Sequence, residues 1–326
     1  MLEIHFINVA DGDAVLLEDR SGGEPFRMLV DTGRSRLQEA EGSLRLTAAD
    51  YLRERGISRV DVLVVTHLHT DHFGCLENLL SQIAIGEVYS GFFPSCPERR
   101  IPPEPEAEKT VRGMIDCVNQ WAADVECLRA QGCPLHTVAA TIPGLRLTDR
   151  LTADLICPNE TVNKVQRVVW EDMLAGKEVP ENLKYWASKS RNPGSLRLRL
   201  TYGGRTLELA GDCYGGLWDN EGVRPCDILK VPHHGDSKAM TQSLARRLRP
   251  SYAVISCAAE YDPRKDRPSY DTVELLRQQG AGVWFTDSFT AEWHTPSRWR
   301  SVDFTIHDDG TIIAPDSHGS GGRLNE

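Results

Sequence analysis

The stretch Thr66-His67-Leu68-His69-Thr70-Asp71-His72-Phe73-Gly74 constrains this chain more than any other. It places three histidines and an aspartate within six residues, directly after the β-branched run Val60–Val65. That run is short, apolar and almost uncharged, so it predicts a buried strand with the motif in the loop at its end. While the backbone stays extended, His67 and His69 point to the same side. Asp71 and His72 follow where the chain turns and can face a second point a few ångströms away. Imidazoles with a carboxylate suit Zn²⁺ or another borderline first-row ion, and the spacing offers a pair of sites.

Two other predicted strands end in residues of the same chemistry. Arg205–Ala210 runs into Gly211-Asp212, and Asp227–Val231 into Pro232-His233-His234-Gly235. Five of the ten histidines therefore fall at two strand ends, where one layered α/β fold can bring them together. In that arrangement Asp212 bridges two ions. His67 and His69 hold the first, and Asp71, His72 and one of His233 and His234 hold the second. Cys75 and Cys213 adjoin these motifs as weaker ligand candidates.

The remaining sequence supplies the frame. Three strands joined by tight turns open the chain (Leu2–Val9, Ala14–Glu18, Arg27–Val30), and the third ends in Asp31-Thr32-Gly33. Thr47–Arg55 and Leu76–Ile83 read as helices, Glu87–Phe92 as a strand, and Pro94–Glu108, with five prolines, as an exposed connector. Val111, Ile115, Val118, Trp121, Val125 and Leu128 recur at helical spacing. Strands are expected around Thr137–Ile142 and Ala153–Ile156, with helices over Thr161–Ala175 and Glu181–Ser188. Leu196–Tyr202 and Arg205–Ala210 flank Gly203-Gly204, a two-residue hairpin turn. Helices Thr241–Leu248 and Tyr270–Gln279 then alternate with strands Tyr252–Cys257 and Gly282–Thr286, before a last hairpin, Val302–His307 with Thr311–Ala314.

Composition excludes several classes. No apolar run approaches the roughly 20 residues that span a bilayer, and no basic-then-apolar leader opens the chain. Nine cysteines without a C-x-x-C pair fit reduced thiols and a cytoplasmic location better than a disulfide framework. The net charge of −10 argues against gripping long nucleic acid through a basic surface. It leaves room for a small-molecule or short nucleic-acid phosphodiester substrate, because two divalent ions would set the charge at the site itself.

The order H-x-H-x-D-H, G-D, P-H-H-G resembles that of the metallo-β-lactamase superfamily. More narrowly it is similar to the hydrolase domain of ComEC-type DNA-internalisation competence proteins and their free-standing relatives. Ile4–Ala14 resembles that group's first strand, with Asp11-Gly12-Asp13-Ala14 where G-Q-G-D-A is usual. Asp31-Thr32-Gly33 matches D-x-G, Asn192–Leu196 matches N-x-x-S-L, and Ile228–Gly235 matches L-K-V-x-H-H-G. Phe285-Thr286-Asp287 and Asp309–Ile312 resemble the closing strands. The likeness runs from residue 1 to about 315 and leaves out the competence proteins' membrane channel.

The resemblance implies an αββα sandwich, two mixed β-sheets packed face to face with helices on the outer faces. It implies a single hydrolase domain over residues 1–315, with a helical insertion at about 93–191 and a flexible tail at 316–326. The implied ligands are His67, His69, Asp71, His72, Asp212 and His234, with Asp31 orienting a ligand histidine from behind. Asn192 stands where many superfamily hydrolases carry a further histidine, so one-ion occupancy is an alternative to two ions, with Zn²⁺ expected first and Mn²⁺ second. Asp71, His233 and Asn192 are the residues expected to act on substrate. The implied activity is phosphodiester hydrolysis by metal-bound hydroxide, since a bound divalent ion can lower the pKa of water to about 7. The alternatives are lactone, thioester or β-lactam hydrolysis, and a metal-binding partner protein without turnover. Flavo-diiron chemistry fits less well, because that branch usually has an acid where His69 stands.

Overall fold

Alternation along the strands decides what each face of the molecule packs against. In the computed structural model, which describes residues 1–219, 222–260, 266–294 and 298–316, the first half runs β1 (Leu2–Ile7), β2 (Val15–Asp19), β3 (Phe26–Val30), α1 (Ala48–Glu54), β4 (Arg59–Val65), α2 (Thr70–Phe73), α3 (Leu76–Leu80), β5 (Ala84–Ser90), α4 (Lys109–Ala130) and β6 (Leu135–Thr137). Next come β7 (Ile142–Arg146), β8 (Thr152–Ile156), α5 (Glu160–Leu174), α6 (Glu181–Lys189), β9 (Arg197–Tyr202) and β10 (Arg205–Leu209). The chain closes with α7 (Gly215–Trp218), β11 (Ile228–Lys230), α8 (Gln242–Leu248), β12 (Tyr252–Ile255), α9 (Tyr270–Gln278), β13 (Gly282–Phe285), β14 (Ser301–Ile306) and β15 (Ile312–Ile313). The predicted tail lies, from residue 317 on, outside the described residues.

Two mixed sheets result. The first has eight strands in the order β15-β14-β1-β2-β3-β4-β5-β6, and the second seven in the order β13-β12-β11-β10-β9-β8-β7. Each is antiparallel over one part and parallel over the other: β3 to β6 run parallel in the first sheet, β10 to β13 in the second. Leu2, Ile4, Phe6, Leu17, Met28, Val62 and Val64 face Leu198, Leu200, Leu207, Ile228 and Val254 in the layer between the sheets. The intervening residues Leu16, Leu29, Leu63 and Val65 pack outward against α1, α3 and α4. On the opposite outside, Leu229, Ala253 and Ile255 meet Leu244, Leu248, Val273 and Leu276 of α8 and α9. This period-two partition of each strand makes the αββα sandwich.

Residues 93–191 contribute to both sheets as well as supplying α4, α5 and α6. The single strand expected over Thr137–Ile142 is instead the passage between layers: β6 ends in the first sheet at Thr137, and β7 begins the second at Ile142. Pro143 and Gly144 fall where the β7–β8 register shifts, consistent with a proline and a glycine weakening a regular ladder. Among the described residues no helix is long and apolar enough to cross a membrane, and the nine cysteines are thiols outside any disulfide.

One buried charge network lies far from the strand ends described above. His5 on β1 sits 2.9 Å from Asp303, 3.6 Å from Glu18 and 3.8 Å from Glu3. Burial alone would lower its pKa, but hydrogen bonds with the three carboxylates push it up to about 10. Because the folded value exceeds the unfolded one, the stabilisation is complete below pH ~6.5 and is lost as pH rises toward 10. Urea unfolding at pH 6 and pH 9.5 should show wild type losing about 2 kcal/mol or more between the two. His5→Gln should remove that part of the pH dependence.

Candidate metal centre

Three loops meet at one edge of the sandwich, and each is fixed by short-range bonding. At the end of β3, Asp31 adopts a positive φ of 59°. Its carboxylate accepts from the Thr66 amide at 2.8 Å and from Thr66 Oγ1 at 2.7 Å, which ties the start of the histidine motif to the neighbouring strand. The Leu196 amide donates to the Thr66 carbonyl at 2.9 Å, joining the second sheet to the first at this point. Gly211, with φ +50°, precedes Asp212; a Cβ there would lie 2.9 Å from Thr66 Oγ1, so the close approach of the two loops requires glycine. The third loop carries His233 and His234 in consecutive left-handed conformations, φ 48° and 54°. Such backbone is uncommon outside glycine and clusters at functional sites.

The two oxygens of the Asp212 carboxylate face two different groups of side chains. Oδ1 lies 3.3 Å from His72 Nε2 and 3.6 Å from His234 Nε2, and His234 Nε2 is 3.6 Å from Asp71 Oδ2. Oδ2 lies 3.8 Å from His67 Nε2, whose other neighbour is His69 Nδ1 at 2.8 Å. Two candidate donor sets follow, His67–His69–Asp212 and Asp71–His72–His234, sharing Asp212 between them. His72 Nε2, His234 Nε2 and Asp212 Oδ1 are all buried without a hydrogen-bond partner. Donors about 2.0–2.2 Å from a tetrahedral centre stand roughly 3.3–3.6 Å apart, so the separations among Asp71, His72, His234 and Asp212 fit a divalent ion, whereas His67 and His69 stand at hydrogen-bond distance and would have to part by several tenths of an ångström.

Electrostatics favours the same reading. Burial, with the neighbouring imidazoles of His72 and His69, holds His67 well below the usual histidine range. Burial together with Arg191 takes His69 down to about 3. Both are therefore neutral imidazoles with a lone pair to give, as metal binding requires. Burial would raise the carboxyls of Asp71 and Asp212, but the surrounding histidines win and hold both well below the carboxylate range. His72 is the converse: burial opposes its charge, while Asp212, Asp31 and Asp13 raise its pKa well above the ordinary value.

Behind these groups lies a layer that orients them. Asp31 Oδ2 is 2.8 Å from His72 Nδ1, which leaves Nε2 turned toward Asp212. Replacing Asp31 by asparagine should weaken metal binding by roughly 10–100-fold, read by competition with a chelator. The two adjacent histidines separate clearly. His234 Nε2 faces Asp71 and Asp212, whereas His233 Nε2 accepts from Asn192 Nδ2 at 3.0 Å and Arg267 Nη2 at 2.6 Å. His233 Nδ1 lies 2.6 Å from Asp236. His233 still approaches Asp212 Oδ2 to 3.8 Å, on the side of His67 and His69. Asn192 leaves its own Oδ1 buried and without a partner.

His67, His69, Asp71, His72, Asp212, His233 and His234, with Asp31 and Asn192 bonded to them, come together here, but other residues were missed. Asp13, 3% exposed, sits 3.8 Å from both His72 Nδ1 and His234 Nδ1 and pairs with the fully buried Lys230. The match of Asp11–Ala14 to a known motif was the only signal for it. Asp236 follows the P-H-H-G turn directly, a position from which it could have been inferred. Arg267 and Arg191 carried no local signal. Cys75 and Cys213, though buried beside the motifs, belong to neither donor set.

The sandwich and its paired His/Asp clusters define a class, an αββα architecture whose strand ends gather donor groups suited to divalent ions. The model of the metallo-beta-lactamase superfamily matches residues 8–91, which contain the first motif, and this supports the resemblance read from the sequence. ComE operon protein 3 of Bacillus subtilis (strain 168) is 25% identical over 303 residues, which are 87% of this chain and 32% of that protein. The chain thus spans about a third of the length of this relative. Among solved structures, the metallo-beta-lactamase fold protein YhfI of Bacillus subtilis aligns with TM-score 0.45 and 11% identity, covering 87% of this chain and 94% of that one. The diiron β-hydroxylase CmlA of Streptomyces venezuelae aligns with TM-score 0.43 and 14% identity, covering 87% of this chain and 52% of that one.

Proposed function

We propose that this protein hydrolyses phosphodiester bonds, in a small molecule or at a short nucleic-acid segment, using a pair of divalent ions, Zn²⁺ or Mn²⁺. The observation that carries the proposal is the Asp212 carboxylate, which turns one oxygen to each of two donor sets. His67 and His69 would hold one ion and Asp71, His72 and His234 the other, with Asp212 shared. Bound there, the ions would acidify a water and offset charge at the attacked phosphorus. Asp71, ionised and beside His234, orients the nucleophile or returns a proton to the leaving oxygen. Asn192 and His233, with Arg267 behind them, contact the substrate. The resemblance to the ComEC-type hydrolase domain supports the choice of a phosphodiester over a carbonyl substrate, and the cytoplasm is the expected location.

The test is a substrate panel on metal-loaded protein: bis(p-nitrophenyl) phosphate against p-nitrophenyl acetate, a thioester, a lactone and a β-lactam. Turnover of the phosphodiester well above the rest is the expected outcome. Preference for a carbonyl substrate would overturn the bond assignment, and inertness across the panel with metal bound would favour a binding role.

A further inference from the structure

A narrow pocket adjoins His67 at the ends of β4 and β5, roofed by α5 and the segment after α6. Its ionised lining consists of two arginines, Arg167 and Arg191, and it contains no carboxylate. Arg191 is only 7% exposed. Its Nε donates to the Ser188 carbonyl at 3.2 Å, and its Nη1 donates to the carbonyl of Leu68, between His67 and His69, at 3.1 Å. Nη2 makes no hydrogen bond to any described residue. Arg167 donates a single long bond, 3.5 Å, to the Gly91 carbonyl. Neither guanidinium has a carboxylate partner among the described residues. Trp170, also in the lining, is buried and its indole N–H has no partner.

Buried charges are ordinarily paired, and buried donors are ordinarily satisfied. A pocket that gathers the buried Arg191 and the partly buried Arg167, neither with a carboxylate partner among the described residues, and an unpaired indole N–H has the chemistry of an oxyanion receptor. Arginine in particular matches tetrahedral oxyanions through its fork of donors. The interior is too narrow for a ring system, so a compact group fits it.

We infer that this pocket holds a second phosphoryl group of the substrate, next to the phosphodiester that is cleaved. The inference rests on the phosphodiesterase reading for its connection to the metal pair, and it narrows the substrate class to phosphodiesters bearing a further phosphate. It also gives residues 93–191 a part in the site, since α5 supplies Arg167 and Trp170 and the end of the segment supplies Arg191.

The test is calorimetric titration of the metal-loaded full chain with inorganic phosphate and, in parallel, with acetate. Wild type is compared with Arg167→Gln and Arg191→Gln, with circular dichroism as the check on folding. Phosphate should bind each variant about 10-fold or more weakly than wild type, the worth of one charged hydrogen bond, while acetate binding stays the same. Equal phosphate affinity in wild type and variants would overturn the inference. Acetate binding with the same arginine dependence would overturn the phosphoryl assignment in favour of a carboxylate. Should Arg191→Gln fail to fold, the partly buried Arg167 decides the question alone. Arginine-dependent phosphate binding without bis(p-nitrophenyl) phosphate turnover would uphold the pocket and sink the phosphodiesterase reading. Turnover with arginine-independent binding would do the reverse.

Discussion

Asp212→Ala is expected to abolish hydrolysis and strip metal from the site. Its carboxylate is the only group that approaches His72 and His234 with one oxygen and His67 and His233 with the other, among the described residues. Outer partners of a metal ligand typically cost 10–100-fold when removed. A ligand shared by both ions should cost more, so turnover is expected to fall by well over ~100-fold. The fold should survive, because Asp31 and Asp13 still face His72 when Asp212 is gone, and near-native circular dichroism would show it. An active Asp212→Ala enzyme would mean that the chemistry lies elsewhere.

Lys230→Met is expected to be the most destabilising single change near the site. Lys230 is 1% exposed and its ammonium pairs with Asp13, which is itself 3% exposed. Removing one partner of a buried pair strands the other charge and typically costs about 3–5 kcal/mol. The stranded Asp13 would also stand 3.8 Å from His72 and His234 with no lysine to hold it, so metal affinity should fall as well. Urea unfolding reads the first effect and chelator competition the second. Combining Lys230→Met with Asp13→Asn should recover a large part of the lost stability, since the double variant leaves no unpaired charge. If the double variant is as unstable as the single, the pair is not the reason Lys230 is needed.

These two residues show where reading the chain stops. The motif His67–His72, the strand before it and the layering of the sheets were legible, because each is written in local periodicity: alternation for strands, spacing of apolar residues for α4. Asp31 and Asp212 were also legible, as acids at the ends of predicted strands. The Asp13–Lys230 pair was not, because its partners lie 217 positions apart and only the packing of one sheet on the other brings them together. The split between His233 and His234 was legible only through the resemblance, which pointed to His234 as the ligand; nothing in local periodicity distinguishes them. Adjacent side chains are expected to diverge, but two successive left-handed residues aim one ring at Asp71 and Asp212 and the other at Asn192 and Arg267. The crossing at Val138–Thr141 was misread for a related reason: β-type residues continue through it, while the sheet they would join changes.

The central claim is that this chain holds two divalent ions through one shared aspartate. Mass-spectrometric metal content after reconstitution with Zn²⁺ or Mn²⁺ tests it most directly. The account predicts about two ions per wild-type chain and one or fewer in Asp212→Ala. No retained metal in wild type, or an unchanged count in Asp212→Ala, would contradict it.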